Sequence, residues 1–174
     1  MNLEVIILAA GQGTRMKSAL PKVLHPMAGR PLLRHVVEAA QELEPSAIHV
    51  VVGHGAERVL EAFAGDAINW VTQEQQLGTG HAVLQAMPAV DPGSTVLVLD
   101  GDVPLIRPDT LRELAGLAAR EPALLTARVE TPAGYGRILR DASGVLTGVV
   151  EDKDASEEQR RINEINTGVL AAPA

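Results

Sequence analysis

The chain has 174 residues, is 46% hydrophobic and only 2% aromatic, a composition that suits one aliphatic core and leaves few rings for stacking on a ligand. Lys and Arg number 15 against 22 Asp and Glu, and the net charge of -7 opposes a broad nucleic-acid surface, which needs clustered basic residues. With no cysteine there is no disulfide scaffold or thiolate chemistry, and no apolar run reaches bilayer length.

Glu4 stands where a signal peptide would be positive, so a cytoplasmic protein with neither membrane nor nucleic-acid partners is expected. Leu3 to Ala10 is apolar apart from Glu4 and stops at glycine, the pattern of a central buried parallel strand running into a turn. Pro31 to Leu43 has Pro near its start and apolar residues at Leu33, Val36, Val37 and Ala40, which predicts a helix packed on the sheet. Strands are then expected at Ile48 to Val52, Ile68 to Thr72 and Thr95 to Leu99. Helices are expected at Ala56 to Ala64, Gly80 to Met87 and Thr110 to Arg120, the last capped by Asp109. Strands alternating with helices give βαβ units, hence an α/β fold with a largely parallel central sheet.

Beyond Leu124 the texture turns to the short strand-like runs ALLTARVE, GRILRD, GVLTGVVED and INTGVLAA, with a brief polar helix at Glu157 to Arg161. The expected division is a larger part over about 1–130 and a small β-rich part over about 131–174, with Pro132 to Gly136 as the joint. Leu170 to Ala174 follows an apolar run with no covering helix and no polar tail, and reads as a cut end.

Three stretches carry chemistry. Gly11-Gln12-Gly13-Thr14-Arg15 follows the first strand, so its N–H groups can point into the crevice at the strand's carboxyl end, where phosphates bind. Glycine allows close approach, and Arg15, with Lys22 after Pro21, supplies two cations. An ordinary strand-to-helix turn would use the same glycines, and Met16 stands where the dinucleotide fingerprint has its third glycine.

Gln73, followed by Leu77-Gly78-Thr79-Gly80-His81-Ala82, offers an amide donor and acceptor together with glycine backbone, enough to read a pyrimidine edge without stacking. The alternative is a glycine-rich turn capped by Thr79, with Gln73 solvated and His81 a helix-start residue. Leu97 to Asp102 ends an apolar strand in two carboxylates separated by Gly101. That places hard oxygen ligands beside phosphates and suits Mg²⁺, with Asp102 the candidate, while Asp100 can face solvent or cap a turn. Tyr135-Gly136-Arg137, Glu151 and Asn166 carry the donors and acceptors a sugar needs, and a tight turn, a surface acid and a turn asparagine account for them equally well. The five histidines show no metal-ligand spacing, so no zinc site is expected.

LAAGQGTRM, LPKVLHPMAGRPL, Q-x-x-x-LGTGHA, LDGDVPL, GYGRI, VVEDKDA and INEINTGV occur in that order over nearly the whole chain. The set closely resembles the amino-terminal domain of the bacterial N-acetylglucosamine-1-phosphate uridyltransferases, bifunctional enzymes that make UDP-N-acetylglucosamine for cell-wall and lipopolysaccharide precursors. The first motif is shared by sugar nucleotidyltransferases generally, whereas QxxxLGTGHA and EINTGV narrow the resemblance to this branch. It implies a Rossmann-like α/β nucleotidyltransferase fold with a small β-rich sugar-binding part.

Carried over by motif, the resemblance implies that Leu8, Ala10, Gly11, Gly13, Arg15 and Lys22 meet the nucleotide, with Arg15 and Lys22 also acting in catalysis. Gln73, Gly78 and Thr79 would address the uridine, and Asp102 would hold Mg²⁺. Gly136, Glu151 and Asn166 would face the N-acetylglucosamine, as would Asp100, at a position that is often tyrosine in relatives.

The implied reaction is attack by the phosphate of N-acetylglucosamine-1-phosphate on the α-phosphorus of UTP, with pyrophosphate leaving. An ionised phosphate needs little acid–base help, so the protein's task is in-line positioning and charge stabilisation. In that family the domain continues further and adds an asparagine to the metal site. A carboxyl-terminal left-handed β-helix then acetylates glucosamine-1-phosphate and forms a homotrimer. This chain is therefore expected to bind UTP without full turnover. A nucleotidyltransferase for another sugar phosphate or nucleotide, and a noncatalytic sugar-nucleotide sensor, are the other readings that the residues allow.

Overall fold

A computed structural model describes residues 2–11, 13, 16–53 and 55–174, which fall into two compact units, Met1–Ala123 with Leu170–Ala174, and Leu124–Val169. In the first unit the opening apolar run forms β1 (Leu3–Leu8), followed by a two-residue hairpin of β2 (Pro26–Met27) and β3 (Arg30–Pro31). Then come α1 (Leu32–Gln41), β4 (Ala47–Val52), α2 (Ala56–Ala62), β5 (Asn69–Thr72), α3 (Thr79–Ala86), β6 (Thr95–Asp100) and α4 (Pro108–Leu117). The strands lie in the order β5-β4-β1-β6, all parallel, and β1 is central, in keeping with a run that is apolar apart from Glu4. Residues Leu170–Pro173 close this sheet antiparallel to β6.

Side chains alternate across a strand, and both faces of β1 are covered. Ile6 packs with Val51, Val96 and Val98 against Ala82 and Ala86 of α3, while Val5 and Ile7, which point the other way, are also fully buried. Glu4, the interruption in the pattern, is buried as well. Its Oε2 lies 2.8 Å from His49 Nε2 and its Oε1 accepts from the Asp91 N–H at 3.0 Å, so the carboxylate is satisfied inside the sheet.

The expected helices and strands of this unit form within a few residues of their expected ends, with two differences. Arg30 and Pro31 are drawn into the small hairpin, so α1 begins at Leu32 with Pro31 at its N-cap in extended backbone. Asp109 does not cap α4. Pro108, which has no N–H to satisfy and a φ already suited to a first turn, starts the helix after Arg107, and Asp109 instead pairs with Arg112 at 2.8 Å. Among the described residues no helix is long and apolar enough to cross a membrane.

The second unit contains most of β7 (Ala123–Arg128), then β8 (Arg137–Arg140), β9 (Leu146–Val150), α5 (Glu157–Arg160) and the first part of β10 (Glu164–Pro173). β8 pairs antiparallel with β9 and, through Arg137, with Ile165 of β10, and β7 pairs with β10. Short α5 is set by a capping box: Ser156 Oγ accepts from the Gln159 N–H at 3.2 Å, and Gln159 Oε1 accepts from the Ser156 N–H at 2.9 Å. Glu164 anchors the unit, accepting from Arg140 at 2.6 Å and 3.0 Å and from Thr126 at 2.8 Å. The Arg140 guanidinium, aided by Thr126, lowers its carboxyl to about 2.

Candidate functional site

At the carboxyl ends of β1 and β6 the first unit holds a cavity of about 750 Å³. Open parallel sheets place ligands in this position because the loops there diverge and leave N–H groups free. Gly11 and Gly13 line one wall. Gly13 sits at a φ of 58°, in the left-handed region, and a Cβ there would lie 2.8 Å from the Cβ of Lys22. Glycine is therefore demanded twice, by conformation and by the close passage of the short 3-10 turn Lys22–Leu24 that carries the lysine to the wall.

Gly101, between the two aspartates, makes a second close passage. Its N–H donates to the Leu8 carbonyl at 2.9 Å, and a Cβ would meet that oxygen at 3.1 Å and Leu33 at 3.2 Å. The end of β6 is thus pressed onto the end of β1, which brings Asp100 and Asp102 to the cavity beside Lys22. Lys22 Nζ pairs with the Asp102 carboxylate. Asp100 is half-buried, and its carboxyl is held above the usual carboxylate range, chiefly by burial and then by the neighbouring Asp102 charge, with Lys22 opposing.

For Mg²⁺ the donor set fits one particular mode. Among the described residues no group of three or more His, Cys, Asp or Glu side chains encloses a metal position. Mg²⁺ commonly keeps waters and takes one or two carboxylates plus substrate phosphates, which the hard oxygens of Asp102 and Asp100 at a phosphate-sized cavity can provide.

The opposite wall is built from the turn into α3. Gln73 is 4% exposed and not solvated. Its N–H donates to Val52 at 2.8 Å, and its side-chain Nε2 donates to the Gly78 carbonyl at 3.2 Å and lies 2.9 Å from His81 Nδ1. Gly78, at φ 104° and ψ 177°, occupies a backbone region open essentially to glycine and is the N-cap of α3. Thr79 does not cap the helix; it is the first helical residue, and both it and Gly78 line the cavity.

The cavity therefore brings together Leu8, Ala10, Gly11 and Gly13, then Lys22, Gln73, Gly78 and Thr79, and the two aspartates. Arg15 lies outside the described residues. Gln76, not singled out in the sequence, joins the two walls: its Nε2 donates to the Ala10 carbonyl at 2.7 Å. Its signal was weak, a polar residue in the spacer of QxxxLGTGHA, and nothing in its spacing marked it as a strut.

In the second unit Gly136, Glu151 and Asn166 converge. The Asn166 N–H donates to the Gly136 carbonyl at 2.8 Å, and a Cβ on Gly136 would lie 3.5 Å from Glu151 Oε1 and 3.6 Å from Asn166 Cβ. Arg137, 2% exposed, steadies the turn by donating to the Tyr135 carbonyl and to Asp152 at 2.8 Å. Asn166 Oδ1 accepts from Gly168, and its amide hydrogens meet no acceptor among the described residues.

Residues 5–161 match the family model of the MobA-like NTP transferase domain. The chain is 59% identical over its whole length to the bifunctional protein GlmU of Pseudomonas entomophila and 60% identical over 99% of its length to that of Azotobacter vinelandii. It spans 38% of the length of each. Among solved structures, UDP-glucose pyrophosphorylase complexed with UDP-glucose superposes with a TM-score of 0.77 at 20% identity, covering 99% of this chain and 76% of that one. HddC from Yersinia pseudotuberculosis complexed with GMP-PN does so at 0.73 and 20%, covering 98% and 76%. At such identities these two likenesses report the fold alone, a Rossmann-like α/β arrangement.

Proposed function

From a chain that belongs to the MobA-like NTP transferase domain family, we propose the transfer of UMP from UTP to N-acetylglucosamine-1-phosphate, giving UDP-N-acetylglucosamine and pyrophosphate. The observation that carries this reading is the pairing of two unlike walls in one cavity. Gln73, Gly78 and Thr79 supply directional hydrogen-bonding groups without an aromatic platform, and Gly11, Gly13, Lys22 and Asp102 supply backbone, cation and carboxylate. One wall suits a pyrimidine edge and the other a triphosphate. The 750 Å³ is of the size that small-molecule sites occupy. The sugar would be held by Gly136, Glu151 and Asn166, a group with one carboxylate acceptor and one amide with free hydrogens.

The chemistry asked of the protein is charge management. The attacking phosphate oxygen is already ionised, so no side chain has to remove a proton. Gly11 and Gly13 let the backbone approach the phosphates, and Lys22 exchanges its partner Asp102 for phosphate oxygens as charge develops toward the leaving pyrophosphate. Arg15 is proposed as the second cation of this wall. Asp102, with Asp100 beside it, would hold Mg²⁺, which supplies Lewis-acid neutralisation of the phosphate oxygens when bound.

The test is pyrophosphate release with Mg²⁺, crossing UTP, CTP, GTP and dTTP against N-acetylglucosamine-1-phosphate and glucose-1-phosphate. Turnover confined to, or at least tenfold faster with, UTP and N-acetylglucosamine-1-phosphate is expected of the full-length protein that contains this domain. Preference for another pair would reassign the substrate, and UTP binding with no turnover in any length of chain would leave a nucleotide sensor.

A further inference from the structure

The wall that faces the base contains one orientation that the sequence does not reveal. A carbonyl oxygen only accepts, so the Gln73 atom 3.2 Å from the Gly78 carbonyl is fixed as the amide nitrogen. That same nitrogen lies 2.9 Å from His81 Nδ1. A neutral imidazole has one donor and one acceptor nitrogen; facing an N–H, Nδ1 must be the acceptor, and the ring hydrogen belongs on Nε2. Gln85 Nε2 lies 3.3 Å from His81 Nε2, so the exposed Gln85 amide has to turn to present its oxygen to that ring hydrogen. Both amide hydrogens of Gln73 are consumed inside the protein. Its Oε1 accepts from no donor among the described residues, and the side chain lines the cavity.

Resting on the uridine reading above, we infer that His81 strengthens the base specificity of the site: with the Gly78 carbonyl it holds the Gln73 amide with its oxygen toward the base. An acceptor there matches a base edge that donates at N3, as uracil and thymine do, and repels cytosine, whose N3 is itself an acceptor. His81 is not among the residues that line the cavity, and it acts through Gln73. Without its Nδ1 the amide is held by the Gly78 carbonyl alone, so turning it to offer N–H, which is what cytosine requires, costs less.

The experiment is equilibrium binding of UTP and CTP to the whole chain as wild type, His81→Ala and His81→Asn, each checked for folding by circular dichroism. Asparagine keeps an acceptor near the position of Nδ1. The expected result is a wild-type preference for UTP that falls about tenfold in His81→Ala, through weaker UTP and stronger CTP binding, and returns in large part in His81→Asn. If wild type prefers UTP and the ratio is unchanged in His81→Ala, whether both affinities fall together or neither does, the inference is overturned alone. A wild type with no preference overturns it together with the uridine reading. A measurement free of substitution is the ¹⁵N spectrum of the neutral His81 ring: hydrogen on Nε2 with bare Nδ1 supports the inference, and hydrogen on Nδ1 refutes it.

Discussion

Lys22 and Asp102 form an ion pair at the cavity wall, with the lysine side chain 36% and the aspartate 26% exposed. The proposed metal ligand is thus engaged by the proposed phosphate ligand, and both have to change partners when nucleotide and metal arrive. Part-exposed pairs of this kind contribute about 1 kcal/mol or less, so the exchange is easy. Lys22→Met is expected to tighten Mn²⁺ binding to the nucleotide-free chain by no more than about fivefold, read by electron paramagnetic resonance, while weakening UTP by more than about tenfold. Tighter binding of both ligands would mean that Lys22 has no phosphate role.

Asp102→Asn should remove the metal dependence of UTP binding while changing the unfolding free energy by no more than about 0.5 kcal/mol, since the residue is not core. Titration with and without Mg²⁺, beside a urea melt, separates the two effects. Metal-dependent binding that survives the change would take Asp102 out of the site.

Gly13→Ala forces a Cβ to 2.8 Å from the Cβ of Lys22 at a φ of 58°. The left-handed conformation alone costs roughly 1–2 kcal/mol in a residue with a Cβ. The cost is expected mostly as lost UTP affinity, about tenfold or more, because the turn can shift away from Lys22 without disturbing the sheet. A calorimetric titration measures it.

Glu4→Ala should be far more damaging to folding than its place in an apolar strand suggests. It strands His49 Nε2 in the interior and takes the acceptor from the part-buried Asp91 N–H, a loss on the order of 3 kcal/mol. Glu4→Gln keeps an acceptor for one partner and should cost clearly less. Urea midpoints of the two variants give the order.

The Glu164 carboxyl lies at about 2, below its ordinary 4.5. A group lowered on folding stabilises the native state fully above its ordinary value, and that contribution is lost as pH falls from about 4.5 through about 2. The protection factors of the β8 and β9 amides, exchange rates corrected for the intrinsic pH dependence, should therefore fall over this range in wild type. In Glu164→Gln they should be lower at neutral pH and nearly flat between about 4.5 and about 2.

The parallel sheet was legible because burial on both faces writes itself as mainly apolar runs at β1, β4 and β6, and the cavity loops because glycine and paired carboxylates punctuate strand ends. Three kinds of feature were not. The antiparallel return of Leu170–Pro173 to β6 depends on a partner more than seventy residues away in sequence, and an apolar run does not name its neighbour. Asp109 looked like a cap because Asp often is one, and Pro108 one residue earlier took precedence. The roles of Gln76 and His81 depend on which atom faces which, and residue type carries no such direction.

In the proposed site the two walls of one cavity take different ends of the same nucleotide, and amide chemical shifts on this chain test that most directly. Tripolyphosphate with Mg²⁺ should move Gly11, Gly13 and Lys22; uridine should move Gln73, Gly78 and Thr79; UTP should move both sets together at a single affinity. UTP shifting neither set, or uridine and tripolyphosphate both shifting residues outside the cavity, would contradict it.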